Sequence, residues 1–336
     1  VTEVEFVRVR DEAALRDGQR VFDAAMSYDL VGFPASPVRD LLSILDGTMN
    51  TQPIESWVGY AGGGPAVAAF LTWSDHDNAD VGSLDLQVDP QQRRRGLGTA
   101  ALALIRRRAG ELGKARVHVD VPSISHGTAP SPGEQMAKAL GLTPVQTELR
   151  RGLDLTALDD GRLRALWDEA RAASSGYSLL TWLDRVPREH HDDMADLMER
   201  MSTDPPQGDL VLEPERWDAV RYLEWEDDII ARGRRRLISV VRDDASGRLV
   251  GYTDIGLAEG IDDVAFQWAT IVRGEHRGHR LGLVLKLANL QLLRERMPAV
   301  EHLNTWNAED NTHMIAVNDA IGFRVMEAWT KYELPV

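Results

Sequence analysis

The sequence predicts an α+β fold built as two tandem copies of one domain, and three observations carry that reading. The chain has 336 residues, more than one compact core usually holds and comfortable for two. Strand-like and helical segments alternate, and their order restarts after about residue 175. A strand–loop–helix motif also recurs: Val88 to Gly98 aligns with Val272 to Gly282 at an offset of 184 residues. Downstream, Ala139-Leu140-Gly141-Leu142 aligns with Ala320-Ile321-Gly322-Phe323 at an offset of 181. Two matches in the same order at nearly the same spacing indicate duplication.

Taken in order, residues 4–10 alternate apolar and polar side chains as a strand does, and 11–26 follow with helical spacing behind Asp11, a natural N-cap. Gly62-Gly63-Gly64 separates strand-like runs near 56–60 and 66–73, a hairpin signal. A strand at 83–88 leads through Asp89-Pro90 and a glycine loop into a long helix over 97–112. A strand at 115–121, a short helix over 132–140 ended by Gly141, and a final strand pair within 144–155 complete the first copy. Residues 156–175 carry a helical stretch and then a small, polar Ala-Ala-Ser-Ser, the expected linker between a domain at 1–155 and one at 176–336. The second copy runs through a strand at 177–183, helical stretches at 188–201 and 214–232, and strands at 236–242 and 248–257 joined by a turn at 243–247. A strand at 264–272, a long helix at 281–296, a strand at 301–306, a short helix at 311–320 and a strand at 323–334 close it.

Composition narrows the function. With 43% hydrophobic and 27% charged residues the chain has the make-up of a soluble globular protein. No apolar run approaches the roughly 20 residues that span a bilayer, and residues 1–15 lack the apolar core of a signal peptide. The absence of cysteine excludes disulfides, thiolate metal sites and cysteine nucleophiles, and fits a reducing cytoplasm. A net charge of −15 argues against bulk nucleic-acid binding, which needs clustered cations. Such acidity serves solubility, and it also suits the attraction of amine-bearing cations. Against this background Arg93–Arg95, Arg106–Arg108 and Arg234–Arg236 stand out. They either form salt bridges and helix caps or meet a phosphate-bearing ligand. His190 and His191 precede Asp192 and Asp193, but adjacent helix positions point about 100° apart and chelate poorly, so no metal is expected. Trp217, Tyr222 and Trp225 sit at helical spacing and read as core packing.

The loop Arg93-x-x-Gly96-x-Gly98 carries the chemistry. Glycines let the backbone turn tightly and approach a ligand without a Cβ in the way. The free amides at a helix start, with the positive end of its dipole, make an anion site, and neighbouring arginines add charge-assisted contacts. A diphosphate-binding turn follows. The Gly-Lys-Ser/Thr of a nucleotide-triphosphate loop is absent, and the glycines follow the fourth strand rather than the first, which excludes a dinucleotide fold.

The element order, the Arg93/Gly96/Gly98 loop with Val88 five residues before it, and the Leu140-Gly141-Leu142 and Ile321-Gly322-Phe323 elements resemble the GNAT superfamily of N-acetyltransferases. Trp306-Asn307-Ala308-Glu309-Asp310-Asn311, followed by Met314 and Asn318, resembles that family's stretch after the fifth strand. The resemblance covers nearly the whole chain twice and is similar to the tandem architecture of mycothiol synthase. It implies two mixed, mostly antiparallel sheets, each splayed between its fourth and fifth strands, with acetyl-coenzyme A (acetyl-CoA) in the cleft. Its diphosphate would lie on Arg93, Arg94, Arg95, Gly96, Leu97, Gly98 and Thr99, or on Arg277, Gly278, His279, Arg280, Leu281 and Gly282. Val88 or Val272 would pair with the pantetheine arm, and Asn307 and Asn311 would stand near it. The implied activity is acetyl transfer to a small-molecule amine, a metabolite or antibiotic-like compound, by a monomer or homodimer without metal, nucleic acid or membrane partner. The alternative is a non-catalytic acyl-CoA sensor or scaffold.

Each copy departs from the family pattern. The first keeps both glycines but has residues 122–130 in place of the asparagine segment. The second keeps the asparagine but carries Arg280 at the first glycine, a fit that requires a negative φ there. The second copy is expected to hold the working site, with Trp268, Thr270 and Trp306 lining the acceptor cleft. The family's general-acid tyrosine is replaced by Ala137 and Asn318. By period-two alternation Phe266, Trp268 and Thr270 share a face, and Asp85 points away from Leu84 and Leu86. Asn318, Asp254, Glu275 and Tyr332 remain as candidates for acid–base work.

Overall fold

A computed structural model describes residues 3–124 and 129–336. The first half of the chain forms β1 (Glu5–Arg8), α1 (Glu12–Asp29), α2 (Val38–Leu42), β2 (Thr48–Met49), β3 (Gln52–Ala61), β4 (Gly64–Trp73), β5 (Val81–Val88), α3 (Leu97–Glu111), β6 (Arg116–Pro122), α4 (Pro132–Ala139) and β7 (Thr143–Asp154). The second half forms α5 (Asp160–Ala173), β8 (Tyr177–Leu183), α6 (His191–Met201), α7 (Ala219–Ala231), β9 (Arg234–Asp243), β10 (Leu249–Ala258), β11 (Val264–Val272), α8 (Leu281–Arg296), β12 (His302–Ala308), α9 (Thr312–Ile321) and β13 (Arg324–Pro335). Local chemistry sets the helix starts. Asp11 accepts from the Ala14 amide at 2.9 Å, and Ser131 and Glu134 form a reciprocal capping box at the start of α4. Residues 143–154 form one long strand rather than the expected pair, because Gly152, their one glycine after Pro144, stays extended.

The chain divides into two compact units that do not follow its linear halves. Unit 1 comprises Val1–Glu148, Gly208–Glu213 and Glu327–Val336; unit 2 comprises Leu149–Gln207 and Pro214–Met326. The last strand of the sequence therefore completes unit 1, where Trp329–Pro335 pair antiparallel with Pro122–Arg116 of β6. Within unit 1 the strand order is β1-β3-β4-β5-β6-β13. One face packs α3 against Leu84, Val117, Val119 and Val121. The other carries α1, whose Phe22 meets Phe70 edge-on at 5.8 Å.

Unit 2 repeats the plan with the strand order β7-β12-β11-β10-β9-β8. Its core joins α8 to Leu237, Val241, Ile255, Ala265 and Leu303. Residues 160–173, within the expected linker, form α5, and Leu163, Leu166, Trp167 and Ala170 pack into that core. Tyr222, Trp217 and Trp225 lie in a second cluster with Met194 and Leu197, as core packing predicts. No helix among the described residues is long and apolar enough to cross a membrane.

Candidate active site

The two strand-to-helix loops share one backbone. In unit 1 Arg93 Nε donates to the Val88 carbonyl at 3.1 Å; in unit 2 Arg277 Nε donates to the Val272 carbonyl at 3.2 Å. Left-handed φ values recur at the same steps, +65° at Arg94 and +84° at Gly96, then +87° at Gly278 and +56° at Arg280. The negative φ expected of Arg280 is therefore corrected. The loop keeps its shape and has exchanged which of its two left-handed positions carries glycine, at a cost of about 1 kcal/mol for each non-glycine residue held there. Neither α3 nor α8 has a side-chain cap, so the amides of Leu97, Gly98 and Thr99, and of Leu281 and Gly282, lack helical acceptors. A Cβ on Gly98 would meet Met136 Sδ at 3.1 Å and Val88 at 3.6 Å, so a larger residue would have to displace the methionine side chain that floors the turn. Free amides at a helix start, on a turn of this shape, make an anion site of the kind the sequence motif predicts.

The loops differ in how their cations are engaged. Arg93 is clamped to Asp29 by bonds of 2.9 and 2.7 Å, and Arg94 reaches the neutral side chain of Gln135. Arg95 is exposed and makes no ion pair among the described residues. In unit 2 Arg277 pairs with Asp204 and Arg280 with Glu169, each at 2.7 Å. His276 Nδ1 is 2.9 Å from Tyr177 Oη, and the His279 ring lies 5.3 Å from the same tyrosine. Guanidinium charge is thus available at the first loop and neutralised at the second.

Each sheet forks where the family cleft is expected. β5 and β6 pair in parallel over Val81–Leu84 and Arg116–Val119 and then part. β11 and β12 pair over Val264–Phe266 and His302–Asn304 and then part. Among the described residues no strand pairs with Val88 or Val272 on the cleft side; both pair backwards, with Val67 and Gly251, and their carbonyls accept from Arg93 and Arg277.

At the fork of unit 1 the first residues past the last pair are Asp85 and Asp120. Pairing of β4 with β5 runs without a bulge, so Asp85 lies opposite Leu84 and Leu86 and on the Phe70 side, covered by α1. Its carboxyl opens to solvent at the fork but is ringed by protein atoms. That crowding, with the nearby Asp120 charge partly offset by Lys331, pushes its pKa up to about 6. Lys331 binds both oxygens of Asp120 at 2.7 Å, and Glu148 is raised by burial near the same pair. On the opposite face of β13, Tyr332 is the register partner of Val119, the last residue of β6 before the fork. Burial raises its phenol above the ordinary value and keeps it protonated. The fork thus has a near-neutral carboxylate on one face and a phenol on the other. Ser125–Thr128, within the segment that replaces the asparagine stretch, lie outside the described residues.

The fork of unit 2 is built differently. Asp254 is buried and raised by that burial; it is held by Arg236, at 3.3 Å, and accepts from the Ala269 amide at 3.0 Å. Arg236 also meets Glu226 at 3.2 Å, so Asp254 belongs to an internal ion cluster. The amide it caps sits in a bulge where Thr270 pairs with Thr253 and Phe266 with Gly256. Thr253 and Gly256 stand three apart, so Thr270 and Phe266 fall on opposite faces, which overturns the shared face that plain alternation predicts. Thr270 Oγ1 lies 2.7 Å from Thr253 Oγ1. Trp268 lies flat on Gly256, where a Cβ would come within 1.9 Å of the ring, and Trp306 stacks on Phe266 at 6.0 Å. Glu275 is exposed on the loop, its carboxylate held charged by its own backbone amide. Asn311 caps α9 through the Met314 amide, and Asn318 is buried between Lys286 and Asn307.

Among the described residues no group of three acidic or histidine side chains is arranged to hold a metal. His191 is buried against the Val186 carbonyl, and His190 stacks on Trp182. The other basic clusters resolve into structural contacts: Arg108 with Glu55, Arg235 with Asp184, and Arg236 as above. Sequence reasoning missed Asp120, Glu148 and Lys331, because the pairing of Lys331 with Asp120 spans 211 residues.

No family model matches the chain, and none of the curated proteins does. Solved structures do. A tandem GNAT protein from the clavulanic acid biosynthesis pathway is 31% identical, with 99% of this chain and 98% of that one covered and a TM-score of 0.81. A GCN5-related N-acetyltransferase from Sphaerobacter thermophilus is 17% identical over 98% of this chain and 95% of its own, with a TM-score of 0.62. A putative acetyltransferase from Pyrococcus horikoshii is 13% identical over 98% and 89%, with a TM-score of 0.56. The last two share the fold.

Proposed function

As the chain belongs to the GCN5-related N-acetyltransferase family in its tandem form, we propose that it moves an acetyl group from acetyl-CoA to the amine of a small molecule, with the chemistry in unit 1. The observation that supports this is the fork of unit 1, which sets Asp85 on one face and Tyr332 on the other beside an uncapped helix start. The second copy, favoured by its asparagine, offers no comparable base, because Asp254 is committed to Arg236.

When bound, acetyl-CoA supplies a thioester whose carbonyl carbon accepts the amine. The chain's own groups do the rest. The α3 amides and Arg95 would receive the diphosphate, and the edge of β5 at Val88, which lacks a strand partner there, would align the arm. Asp85 takes a proton from the acceptor ammonium, which frees the nitrogen lone pair for attack. Asp120, held by Lys331, keeps Asp85 basic enough to do so. Tyr332 holds the proton that the departing thiolate needs. A base near neutrality combines a high ionised fraction with useful basicity, and such groups contribute typically 10²–10⁴-fold. A net charge of −15 favours a cationic acceptor.

The test is thiol release from acetyl-CoA with a panel of small amines. We expect turnover by the wild type, a loss of roughly 10²-fold or more in kcat for Asp85→Asn, and near-normal turnover for Asn311→Ala in unit 2. Turnover that survives Asp85→Asn and fails in Asn311→Ala would move the chemistry to unit 2. A second reading, that unit 2 holds acyl-CoA without turning it over, is favoured by a loop that keeps the left-handed steps and uncapped helix start of unit 1 while Asp254 is committed to Arg236.

A further inference from the structure

The long helix of unit 2 buries a lysine that the chemistry above does not use. Lys286 stands in α8 among Leu283, Val284, Leu285, Leu287 and Ala288 and is 2% exposed. Among the described residues it pairs with no carboxylate and makes one hydrogen bond, from Nζ to Asn318 Oδ1 at 2.9 Å, and it lies 5.5 Å from the centre of the Phe323 ring. Asn318 is fully buried, and its Nδ2 donates to Asn307 Oδ1 at 2.5 Å. Asn307 is on β12, three residues beyond Asn304, the last to pair with β11; it is half-buried, and its Nδ2 makes no hydrogen bond among the described residues.

The direction of this chain follows from its first member. Burial lowers the Lys286 pKa to about 7, and below that pH the side chain is an ammonium with three donors and no acceptor, so Asn318 turns its oxygen to Lys286 and its nitrogen to Asn307. Asn307 must then turn its oxygen inward, which leaves an N–H donor on the cleft side. An isolated pair of asparagines would have no such preference, because either amide is free to flip. A leucine at 286 would pack at least as well in this stripe and cost less to bury, so the lysine has a role that packing does not explain.

We propose that Lys286 is a positioning residue that fixes the polarity of the Lys286–Asn318–Asn307 chain, so that Asn307 presents Nδ2 to a carbonyl oxygen of an acyl-pantetheine ligand in the fork of unit 2. This rests on the reading that unit 2 holds acyl-CoA. The carbonyl belongs either to the pantetheine amides, which free CoA also carries, or to the acyl group, which only acetyl-CoA carries.

The deciding variant is Asn318→Asp. An aspartate keeps its pairing with Lys286, now as an ion pair, but cannot donate to Asn307. It accepts from Asn307 Nδ2 instead, so Asn307 flips and turns its oxygen to the cleft. The full chain, labelled with ¹⁵N only in asparagine, has seven side-chain amides, and the Asn307 signal is identified by its loss in Asn307→Asp. Titration with CoA and with acetyl-CoA should shift that signal in the wild type. In Asn318→Asp the protein should be at least as heat-stable, yet binding read at this signal should weaken roughly tenfold. Weakening for both ligands assigns the bond to the arm, and weakening for acetyl-CoA alone assigns it to the acyl carbonyl. Lys286→Met should also weaken binding, and Asn318→Asp decides the matter if that variant does not fold. Unchanged affinity in Asn318→Asp would overturn the polarity argument. A wild-type signal that ignores both ligands would overturn it as well, while leaving the activity assigned to unit 1 standing.

Discussion

Asp85 and Asp254 are both strand aspartates with raised pKa values, the first from protein crowding at an open fork and the second from full burial, and their neighbours give them opposite fates. Asp254 is locked by a guanidinium and a backbone amide, whereas Asp85 has only like charge close by and one lysine already committed to Asp120. A carboxyl whose folded pKa lies above its unfolded value stabilises the fold at low pH and loses that contribution as pH rises through about 6. Asp85→Asn should therefore raise the thermal midpoint above pH 6, with the gain fading towards the ordinary carboxylate range, while activity falls. A gain that persists unchanged at pH 4 would contradict this. Arg236 presents the reverse case: Arg236→Met leaves Asp254 buried with only the Ala269 amide and Glu226 with Arg185 and the Val186 amide, and should cost about 3 kcal/mol in denaturant unfolding. At this scale the sequence was partly readable. Alternation placed Asp85 away from Leu84 and Leu86, but its value as a base depends on Asp120 and Lys331, and no local pattern announces them. Tyr332 was singled out by type, while its membership of unit 1 depended on where the last strand inserts.

At the scale of elements, the loop and its helix were the most legible part. Arg93-x-x-Gly96-x-Gly98 was legible from its glycines and its copy from the alignment of Val88–Gly98 with Val272–Gly282, and both loops carry the same arginine-to-carbonyl brace. The exchange of glycine between Arg94/Gly96 and Gly278/Arg280 was not legible, because the motif specifies a residue type where the backbone specifies a conformation. Gly98→Val should abolish CoA binding by unit 1, since its Cβ presses on Met136 and its branches fill the cradle. The equivalent Gly282, with open space around its Cβ position, should tolerate valine with binding in unit 2 retained. Two-site calorimetry separates these outcomes, and equal losses in both variants would show that the cradles do not differ. The bulge in β11 escaped notice because a one-residue insertion leaves the hydrophobic pattern nearly intact while reversing every face beyond it.

Across the whole molecule, the duplication was readable because two motifs recur in order, and the element boundaries mostly follow. What the linear pattern hid is that the units draw on both halves of the chain: β13, the last strand of the second repeat, completes the sheet of the first. It thereby delivers both Lys331 and Tyr332 to the fork that the first repeat opens. Two copies of one fold have kept one loop geometry and diverged in their acid–base groups, with a near-neutral carboxylate in unit 1 and a sealed ion cluster in unit 2. The most direct test of that division is the pH profile of kcat/KM for acetyl transfer by the wild type and by Asp85→Asn. The wild type should show an acid limb with an apparent pKa of about 6 that is missing from the residual activity of the variant. A profile flat from pH 5 to 8, or one that the substitution leaves in place, would contradict the account.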